Sequence, residues 1–252
     1  MQQHEYFNVQ RPVVLAHRGG TAHTENTFEA FADSIAAGVF SIETDVRTTR
    51  DQVAVLFHDE DLIRVAGLNE KISDITFDEL SKVELNGGGK VPSLAQALAA
   101  LPLARFNLDI KDEASVESAA EVINSAKAHS RVLVSSFSER RRLGALKLMT
   151  APVATSASSR TVLTCWLFVK LRFPQFVITK ILKGIGALQI PRAMYGLRFD
   201  SLRFITMIRN SGTEVHFWTI NNPQEMLELT RRGATGIVSD VSELAVQTLR
   251  KA

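Results

Sequence analysis

The stretch VVLAHRGGTAHTENTFEAFADSIAAGVFSIETDV, residues 13–46, shows how the chain is organised. Its first run, VVLA (13–16), is apolar and β-branched, which is typical of a short buried strand. The segment TFEAFADSIAAG then has apolar residues at helical spacing, and Gly38 stands where a helix of this kind ends. A second strand-like run, FSIETDV (40–46), follows. Strand, helix and strand in this order predict a unit of two parallel strands.

The same alternation continues to the end of the chain. Eight runs have the composition of strands, and helical patterns separate them: VVLA (13–16), FSIETDV (40–46), RFNLDI (105–110), RVLVSSF (131–137), VATSA (153–157), ALQIP (187–191), EVHFWTI (214–220) and GIVSD (236–240). Eight parallel strands with intervening helices is the number that closes a (β/α)₈ barrel. The sequence therefore predicts an α/β fold of the TIM-barrel type.

One further apolar run, VAVLF (53–57), does not fit the barrel pattern. It follows the second strand too closely for a parallel crossover, which needs about a dozen residues or more, so it is predicted to be antiparallel. Residues 60–92 then read as a small insertion after the second strand, over one end of the barrel. We expect residues 1–252 to form a single domain that contains this insertion.

Composition limits the classes of function. The 29 Lys and Arg residues nearly balance the 27 Asp and Glu residues, which argues against a nucleic-acid partner, and the run RRR (140–142) is expected to be a solvated helix face. The single cysteine, Cys165, excludes an internal disulfide and fits a reducing compartment. The first residues show neither a basic leader nor an apolar core. We therefore expect a soluble, cytoplasmic protein.

Residues 161–191, TVLTCWLFVKLRFPQFVITKILKGIGALQIP, are unusually rich in bulky apolar side chains. A membrane-spanning helix needs about 20 predominantly apolar residues in a row, and the four basic residues in this segment leave no such run. The segment is predicted to form a pair of helices packed on the barrel. The alternative is an amphipathic surface at 161–190 that makes a weak contact with a membrane.

Polar side chains gather where the predicted strands end, which is the face that carries the chemistry in this fold. His17 and Arg18 close the first strand. Glu43 and Asp45 are two residues apart in the second strand, so their side chains leave the same face. Two carboxylates that point the same way suit a hard divalent cation. The alternative for this pair is the outward polar face of an exposed strand.

The third strand repeats this arrangement with Asp109 and Lys111. They could form a structural ion pair, or they could supply a third metal ligand and an ammonium group that binds an anion. Carboxylate ligands favour magnesium, calcium or manganese over zinc. In addition, His58 and Asp59 close the odd run at 53–57.

Together these segments form an ordered series. They are HRG (17–19), ENT (25–27), ETD (43–45), HD (58–59), NLDIK (107–111), SF (136–137), FWTIN (217–221) and GIVSD (236–240). The series closely resembles the glycerophosphodiester phosphodiesterase family, and the resemblance extends from about residue 13 to residue 245. Each motif alone is weak, whereas the ordered set at compatible spacing is specific.

The resemblance implies a set of site residues. The paired catalytic histidines of the family match His17 and His58, and substrate-binding positions match Arg18, Lys111 and Trp218. Its metal ligands match Glu43, Asp45 and Asp109, and the implied cofactor is one divalent cation, Mg²⁺ or Ca²⁺, with Mn²⁺ as a further candidate. Asp109 is a departure, because the family usually has glutamate there. TENT where PENT is common, and RDQV at a turn that usually contains DG, are smaller departures.

The implied reaction is the metal-dependent hydrolysis of a small glycerophosphodiester to glycerol 3-phosphate and an alcohol. One histidine would activate the nucleophile, either water or a neighbouring glycerol hydroxyl, and the other would protonate the leaving oxygen. Two alternatives remain: a lipid phosphodiesterase of the lysophospholipase D or sphingomyelinase D type, and a catalytically weak binding barrel. The sequence specifies neither the alcohol nor the oligomeric state.

Overall fold

A computed structural model describes residues 4–250 of the chain. The described part alternates strands and helices as β1 (Val13–His17), α1 (Phe28–Ala36), β2 (Ser41–Thr48), β3 (Ala54–Leu56), α2 (Ile63–Ala66), α3 (Phe77–Leu80), α4 (Leu94–Ala100), β4 (Arg105–Ile110), α5 (Ala114–Ser125), β5 (Val132–Ser135), α6 (Glu139–Leu148), β6 (Ala154–Thr155), α7 (Ser159–Lys170), α8 (Gln175–Ile181), β7 (Ala187–Pro191), β8 (Ala193–Met194), β9 (Leu197–Arg198), α9 (Leu202–Arg209), β10 (Glu214–Trp218), α10 (Pro223–Arg231), β11 (Gly236–Ser239) and α11 (Ser242–Arg250).

Eight of these strands form the parallel barrel that the sequence predicts. Their order around the barrel is β6, β5, β4, β2, β1, β11, β10 and β7. The ring closes between β6 and β7, where Ser156 and Ala187 form a parallel bridge. The predicted (β/α)₈ barrel is therefore confirmed, with all eight strands at the expected places in the sequence.

The odd run is antiparallel, as predicted. β3 pairs with the end of β2, so that Val46 lies opposite Leu56. The residues that follow form α2, α3 and a 3₁₀ turn, and their apolar side chains pack with those of β3 in a small separate core. This arrangement places residues 60–92 beside the carboxyl end of β2, next to the polar residues of that strand.

The apolar segment folds as the predicted pair of helices, α7 and α8, and Pro174 precedes the first residue of α8. None of the helices within residues 4–250 has the length and apolar content needed to cross a membrane. The prediction that residues 140–142 form a solvated helix face is wrong for Arg142. Its guanidinium group is buried, forms a salt bridge with Glu139 and donates a hydrogen bond to Thr155, because α6 turns this residue toward β6.

His216 is a buried residue of β10, as its apolar strand pattern predicts. Its ring lies against Gly236, where a Cβ atom would come within 2.5 Å of it. The Gln189 amide donates to Nδ1 at 3.4 Å. Burial lowers the pKa of His216 from 6.5 to about 4, so the imidazole is neutral in the folded protein at neutral pH.

We expect His216 to make stability depend on pH. Between pH 6.5 and 4 His216 is protonated in the unfolded chain but neutral in the folded chain. The free energy of unfolding therefore decreases as the pH falls through that range. The loss at this residue amounts to about 3 kcal/mol. Urea denaturation across this range should therefore show that the free energy of unfolding depends less on pH in His216→Gln than in the wild type. Equal pH dependence in both proteins would contradict the assignment.

Candidate active site

The eight predicted site residues line one cavity of about 490 Å³ at the carboxyl end of the barrel. His17 is the last residue of β1, and Trp218 is the last residue of β10. Arg18 directly follows β1. The other five lie on or just after β2, β3 and β4, and they are Glu43, Asp45, His58, Asp109 and Lys111. Strand order explains the convergence, because β1, β2 and β4 are neighbours in the barrel and β3 pairs with the end of β2.

A tight turn after β1 directs Arg18 into the cavity. Gly19 adopts a left-handed backbone, and a Cβ atom there would approach Ala30 Cβ to 2.8 Å, so only glycine fits against α1. Arg18 itself has a φ of 53°. Its Nε lies 3.5 Å from Asp45 Oδ2, and its Nη1 lies 3.1 Å from Glu25 Oε1. The guanidinium group is thereby fixed between two carboxylates at the floor of the site.

His17 is oriented by a carboxylate from the opposite end of the chain. Its Nδ1 lies 2.6 Å from Asp240 Oδ1, and Asn221 donates to the other oxygen of Asp240 at 2.6 Å. The hydrogen bond with His17 holds the pKa of Asp240 below its ordinary value. Because Nδ1 faces Asp240, Nε2 is directed to the other side, where it lies 3.8 Å from Glu43 Oε2.

His58 has a matching carboxylate partner. Its Nδ1 lies 2.7 Å from Asp59 Oδ1, and Arg64 Nε donates to Asp59 Oδ2 at 2.6 Å. Arg64 also binds Glu25, which connects this group to Arg18. Burial acts to raise the pKa of Asp59, but the hydrogen bonds from Arg64 and His58 outweigh it, so the pKa is lowered. Asp59 is therefore an anion that can orient the imidazole and stabilise its protonated form.

Three carboxylates and one ammonium group occupy the space between the histidines. Lys111 Nζ lies 2.8 Å from Asp45 Oδ1 and 2.8 Å from Asp109 Oδ2. Burial raises the pKa of Glu43, and the negative charges of Asp45 and Asp109 raise it further. Burial also raises the pKa of Asp109, against the opposing effect of Lys111. The cluster therefore carries an excess of negative charge that a bound cation would relieve.

The side chains present fit a cation through Glu43 and Asp45. Glu43 Oε2 and Asp45 Oδ2 are buried without a hydrogen-bond partner, which is costly for a carboxylate unless something positive binds there. Asp109 differs, because it has no buried oxygen without a hydrogen-bond partner. Within residues 4–250 no three or more His, Cys, Asp or Glu side chains are already arranged around a common metal position. Glu43 and Asp45 thus each have one oxygen without a hydrogen-bond partner that could bind a cation, and Lys111 pairs with the other oxygen of Asp45 and with Asp109.

Aromatic and apolar side chains form the other wall of the cavity. Trp218 meets Phe137 edge to face at a centroid distance of 6.0 Å, and Lys111 Nζ lies 5.8 Å from the centre of the Phe137 ring. Beyond them the cavity continues between the start of α7 and the hairpin of β8 and β9. The apolar lining of this arm consists of Ala157, Val162, Leu163, Met194, Leu197 and Phe199.

The sequence did not reveal the residues that orient the histidines. Four of them belong to the motif series: Asp240, Asn221, Asp59 and Glu25. The sequence pattern did not indicate which side chains they contact. Arg64 lies outside every motif. Two signals were available: the carboxylate of Asp59 directly after His58, and the carboxylate of Asp240 directly after the last strand.

Two histidines oriented by carboxylates, an arginine, a lysine and buried acids at the carboxyl end of a parallel barrel define an enzyme of the phosphodiesterase class. The sequence profile of the glycerophosphoryl diester phosphodiesterase family matches residues 17–244. The chain belongs to that family.

Known proteins of this kind resemble the chain over almost all of its length. It is 35% identical, over 92% of its residues and 88% of the relative, to a Mycobacterium tuberculosis protein named "Probable glycerophosphodiester phosphodiesterase 2". A glycerophosphodiester phosphodiesterase structure from Thermotoga maritima matches with 27% identity and a TM-score of 0.73, covering 95% of this chain and 99% of that one. An Oleispira antarctica phosphodiesterase, solved with sn-glycerol-3-phosphate as product, matches with 22% identity and a TM-score of 0.76, covering 95% and 97%.

Proposed function

We propose that the protein hydrolyses small glycerophosphodiesters to glycerol 3-phosphate and an alcohol, with one divalent cation and two histidines acting in proton transfer. One observation carries the proposal. His17 and His58 line the same cavity, each with Nδ1 on a carboxylate, and the buried acids and the cations of Arg18 and Lys111 lie in that cavity with them. Both histidines retain a carboxylate partner, Asp240 for His17 and Asp59 for His58, which argues against a catalytically weak binding barrel.

The anionic phosphodiester needs positive charge before a nucleophile can approach its phosphorus. Arg18 presents a planar guanidinium group at the floor of the cavity, and Lys111 presents an ammonium group in the same cavity on a flexible side chain. Both can donate hydrogen bonds to phosphate oxygens as charge builds on them in the transition state. Trp218 forms part of the opposite wall and can pack against the glycerol carbons of the substrate.

The divalent cation that Glu43 and Asp45 would hold, with Asp109 when Lys111 releases it, supplies further positive charge for the phosphate oxygens. Mg²⁺ and Ca²⁺ suit these oxygen ligands, and Mn²⁺ is a third candidate.

The histidines divide the proton transfers. One of them accepts a proton at Nε2 from the nucleophile, either water or the adjacent glycerol hydroxyl, while a new P–O bond forms. The other donates its Nε2 proton to the alkoxide as the bond from phosphorus to the alcohol oxygen breaks. With water as nucleophile, the products are glycerol 3-phosphate and the alcohol. With the hydroxyl as nucleophile, a cyclic phosphate forms first, and water then opens it.

The apolar arm of the cavity favours a second candidate function, the hydrolysis of lipid phosphodiesters such as lysophospholipids. A water-soluble diester has no apolar chain to pack against these lining side chains, which include Leu163 and Met194. An acyl chain would bury apolar surface there, at about 25 cal/mol for each Å² removed from water. This reaction uses the same histidines and the same cations, and it differs only in the alcohol or glycerol substituent.

We expect purified protein with Mg²⁺, Ca²⁺ or Mn²⁺ to convert glycerophosphocholine to glycerol 3-phosphate and choline, measured by enzymatic assay of both products. Lysophosphatidylcholine, tested in parallel, distinguishes the two candidates through the ratio of the two kcat/KM values. Release of phosphocholine instead, from either substrate, would show cleavage of the other ester bond and contradict the proposal.

Leu163→Gln tests the second candidate directly, because Leu163 belongs to the apolar lining of the cavity and takes no part in the contacts of the charged cluster. If the arm holds an acyl chain, the ratio of kcat/KM for the lipid over that for the soluble substrate should fall about tenfold, the lower end of the effect of one missing methylene contact in an apolar pocket. An unchanged ratio would contradict the second candidate and leave the first in place.

We also propose that residues 1–252 form one phosphodiesterase domain in which 60–92 is an insertion, although residues 1–3 and 251–252 lie outside the described part. We also propose a cytoplasmic location, because the single cysteine, Cys165, fits a reducing compartment. Cell fractionation tests that location.

A further inference from the structure

The outer surface of α7 carries an apolar stripe. Leu163, Leu167 and Leu171 follow one another at intervals of four residues, and their exposed fractions are 47%, 45% and 59%. Intervals of four residues place them on one side of the helix. Phe176 on α8 is exposed as well, at 71%. Exposed leucine and phenylalanine side chains in such a series are unusual for a surface that meets only water.

Basic side chains flank this stripe. Residues 159–191 contain five of the chain's 29 Lys and Arg residues and none of its 27 Asp and Glu residues, so the rest of the chain is net acidic. The five are Arg160, Lys170, Arg172, Lys180 and Lys183. Within residues 4–250 none of the five forms a salt bridge, whereas more than half of the other Lys and Arg residues there do. Unpaired positive charge beside apolar side chains matches an anionic surface with an apolar interior.

The same surface leads to the mouth of the cavity. Leu163 belongs both to the exposed stripe and to the cavity lining. Across the mouth, Tyr195 stands at the tip of the β8–β9 hairpin and is 94% exposed. Trp166 Nε1 donates to the carbonyl oxygen of Arg198 at 2.9 Å, which joins α7 to this hairpin. A tyrosine at a hairpin tip is well suited to the boundary between lipid head groups and water.

We propose that α7, α8 and the β8–β9 hairpin form a docking face for an anionic lipid bilayer. The leucine stripe and Tyr195 enter the head-group region, and the five basic side chains bind the lipid phosphates. The cavity mouth then opens at the bilayer surface, so an amphiphilic diester can reach the histidines without crossing water. Docking itself requires no turnover, and only the delivery of substrate rests on the proposed function.

The test is binding to vesicles made of equal parts phosphatidylcholine and phosphatidylglycerol, measured by cosedimentation. The wild-type protein should bind these vesicles, bind pure phosphatidylcholine vesicles weakly, and be released at about 1 M salt, where the Debye length is about 3 Å. Lys180→Glu/Lys183→Glu should weaken binding at least tenfold, since each basic residue near such a surface contributes about fivefold. Leu167→Asp should have a similar effect through the stripe.

Matched controls lie elsewhere on the surface. Leu103→Asp changes a leucine that is 75% exposed, and Lys127→Glu changes a lysine outside the face; both variants should bind like the wild type. Soluble-substrate turnover, compared across all variants, reports correct folding independently of docking. Equal binding by face and control variants would overturn the proposal. So would a change of oligomeric state in Leu167→Asp without a change in vesicle binding, because the face would then join two copies of the chain.

Discussion

His17→Ala and His58→Ala should each lower kcat for glycerophosphodiester hydrolysis about 10²- to 10⁴-fold, the usual contribution of a general acid or base. The structure gives a physical reason to expect effects of similar size from the two histidines. Each ring has Nδ1 on a carboxylate, at 2.6 Å for His17 and 2.7 Å for His58. Each therefore has one nitrogen, Nε2, left for exchange of a proton with the substrate. Steady-state kinetics with glycerophosphocholine measures the effect.

The p-nitrophenyl ester of glycerol 3-phosphate distinguishes the two roles. Its leaving group departs as a stable anion and needs no proton, so the variant that lacks the general acid should recover most of its activity. The variant that lacks the general base should stay slow. His129→Ala is the matched control, because His129 pairs with Asn124 away from the cavity. Near-normal rates for both site variants with both substrates would contradict the assignment.

The positions of the strands could be predicted because each barrel strand has a recognisable run of apolar and β-branched residues. β4 coincides with the predicted run RFNLDI (105–110), and β7 coincides with ALQIP (187–191). The antiparallel direction of β3 followed from chain length alone, since six residues cannot make a parallel crossover. By contrast, the hairpin of β8 and β9 has strands of only two residues, too short to show any alternation, so it could not be predicted from the pattern.

The positions of the site side chains followed from the fold, but their pairings did not. Once β1, β2 and β4 are neighbours, their carboxyl ends meet, and His17, Asp45 and Asp109 must lie close together. Differences of about 1 Å in side-chain position decide which charged groups form ion pairs. The spacing of residues along the sequence does not contain this information. Lys111 illustrates the point, because its ammonium group binds Asp45 of the neighbouring strand as well as Asp109 of its own.

The orienting partners were hidden for a different reason. Asp240 is 223 residues from His17 along the chain and reaches it only because β11 closes against β1. Arg64 comes from the insertion, whose placement depends on the small core that it shares with β3. Long-range pairs of this kind follow from the closed barrel as a whole. A single sequence shows them only as isolated charged residues.

Removal of divalent cations should abolish most of the activity. Exhaustive dialysis against a chelator, followed by assay in metal-free buffer, is expected to lower kcat about 10³-fold or more, because a bound cation stabilises the transition state by several kcal/mol. Addition of Mg²⁺, Ca²⁺ or Mn²⁺ should restore it. Full activity after dialysis would contradict the requirement for a metal ion.

Glu43→Gln and Asp45→Asn locate the cation within the cavity. Each replaces a buried carboxylate that has one unpartnered oxygen with a neutral amide, so each should weaken cation binding measured by isothermal titration calorimetry without substrate. Glu60→Gln, at an exposed carboxylate outside the cavity lining, is the matched control and should bind the cation as the wild type does. Asp109→Asn should weaken binding less, because Asp109, unlike Glu43 and Asp45, has no buried oxygen without a hydrogen-bond partner, and its Oδ2 pairs with Lys111 at 2.8 Å. Equal losses for all three site variants would instead mean that Lys111 leaves Asp109 when the ion binds, and equal affinity in all variants would place the cation elsewhere.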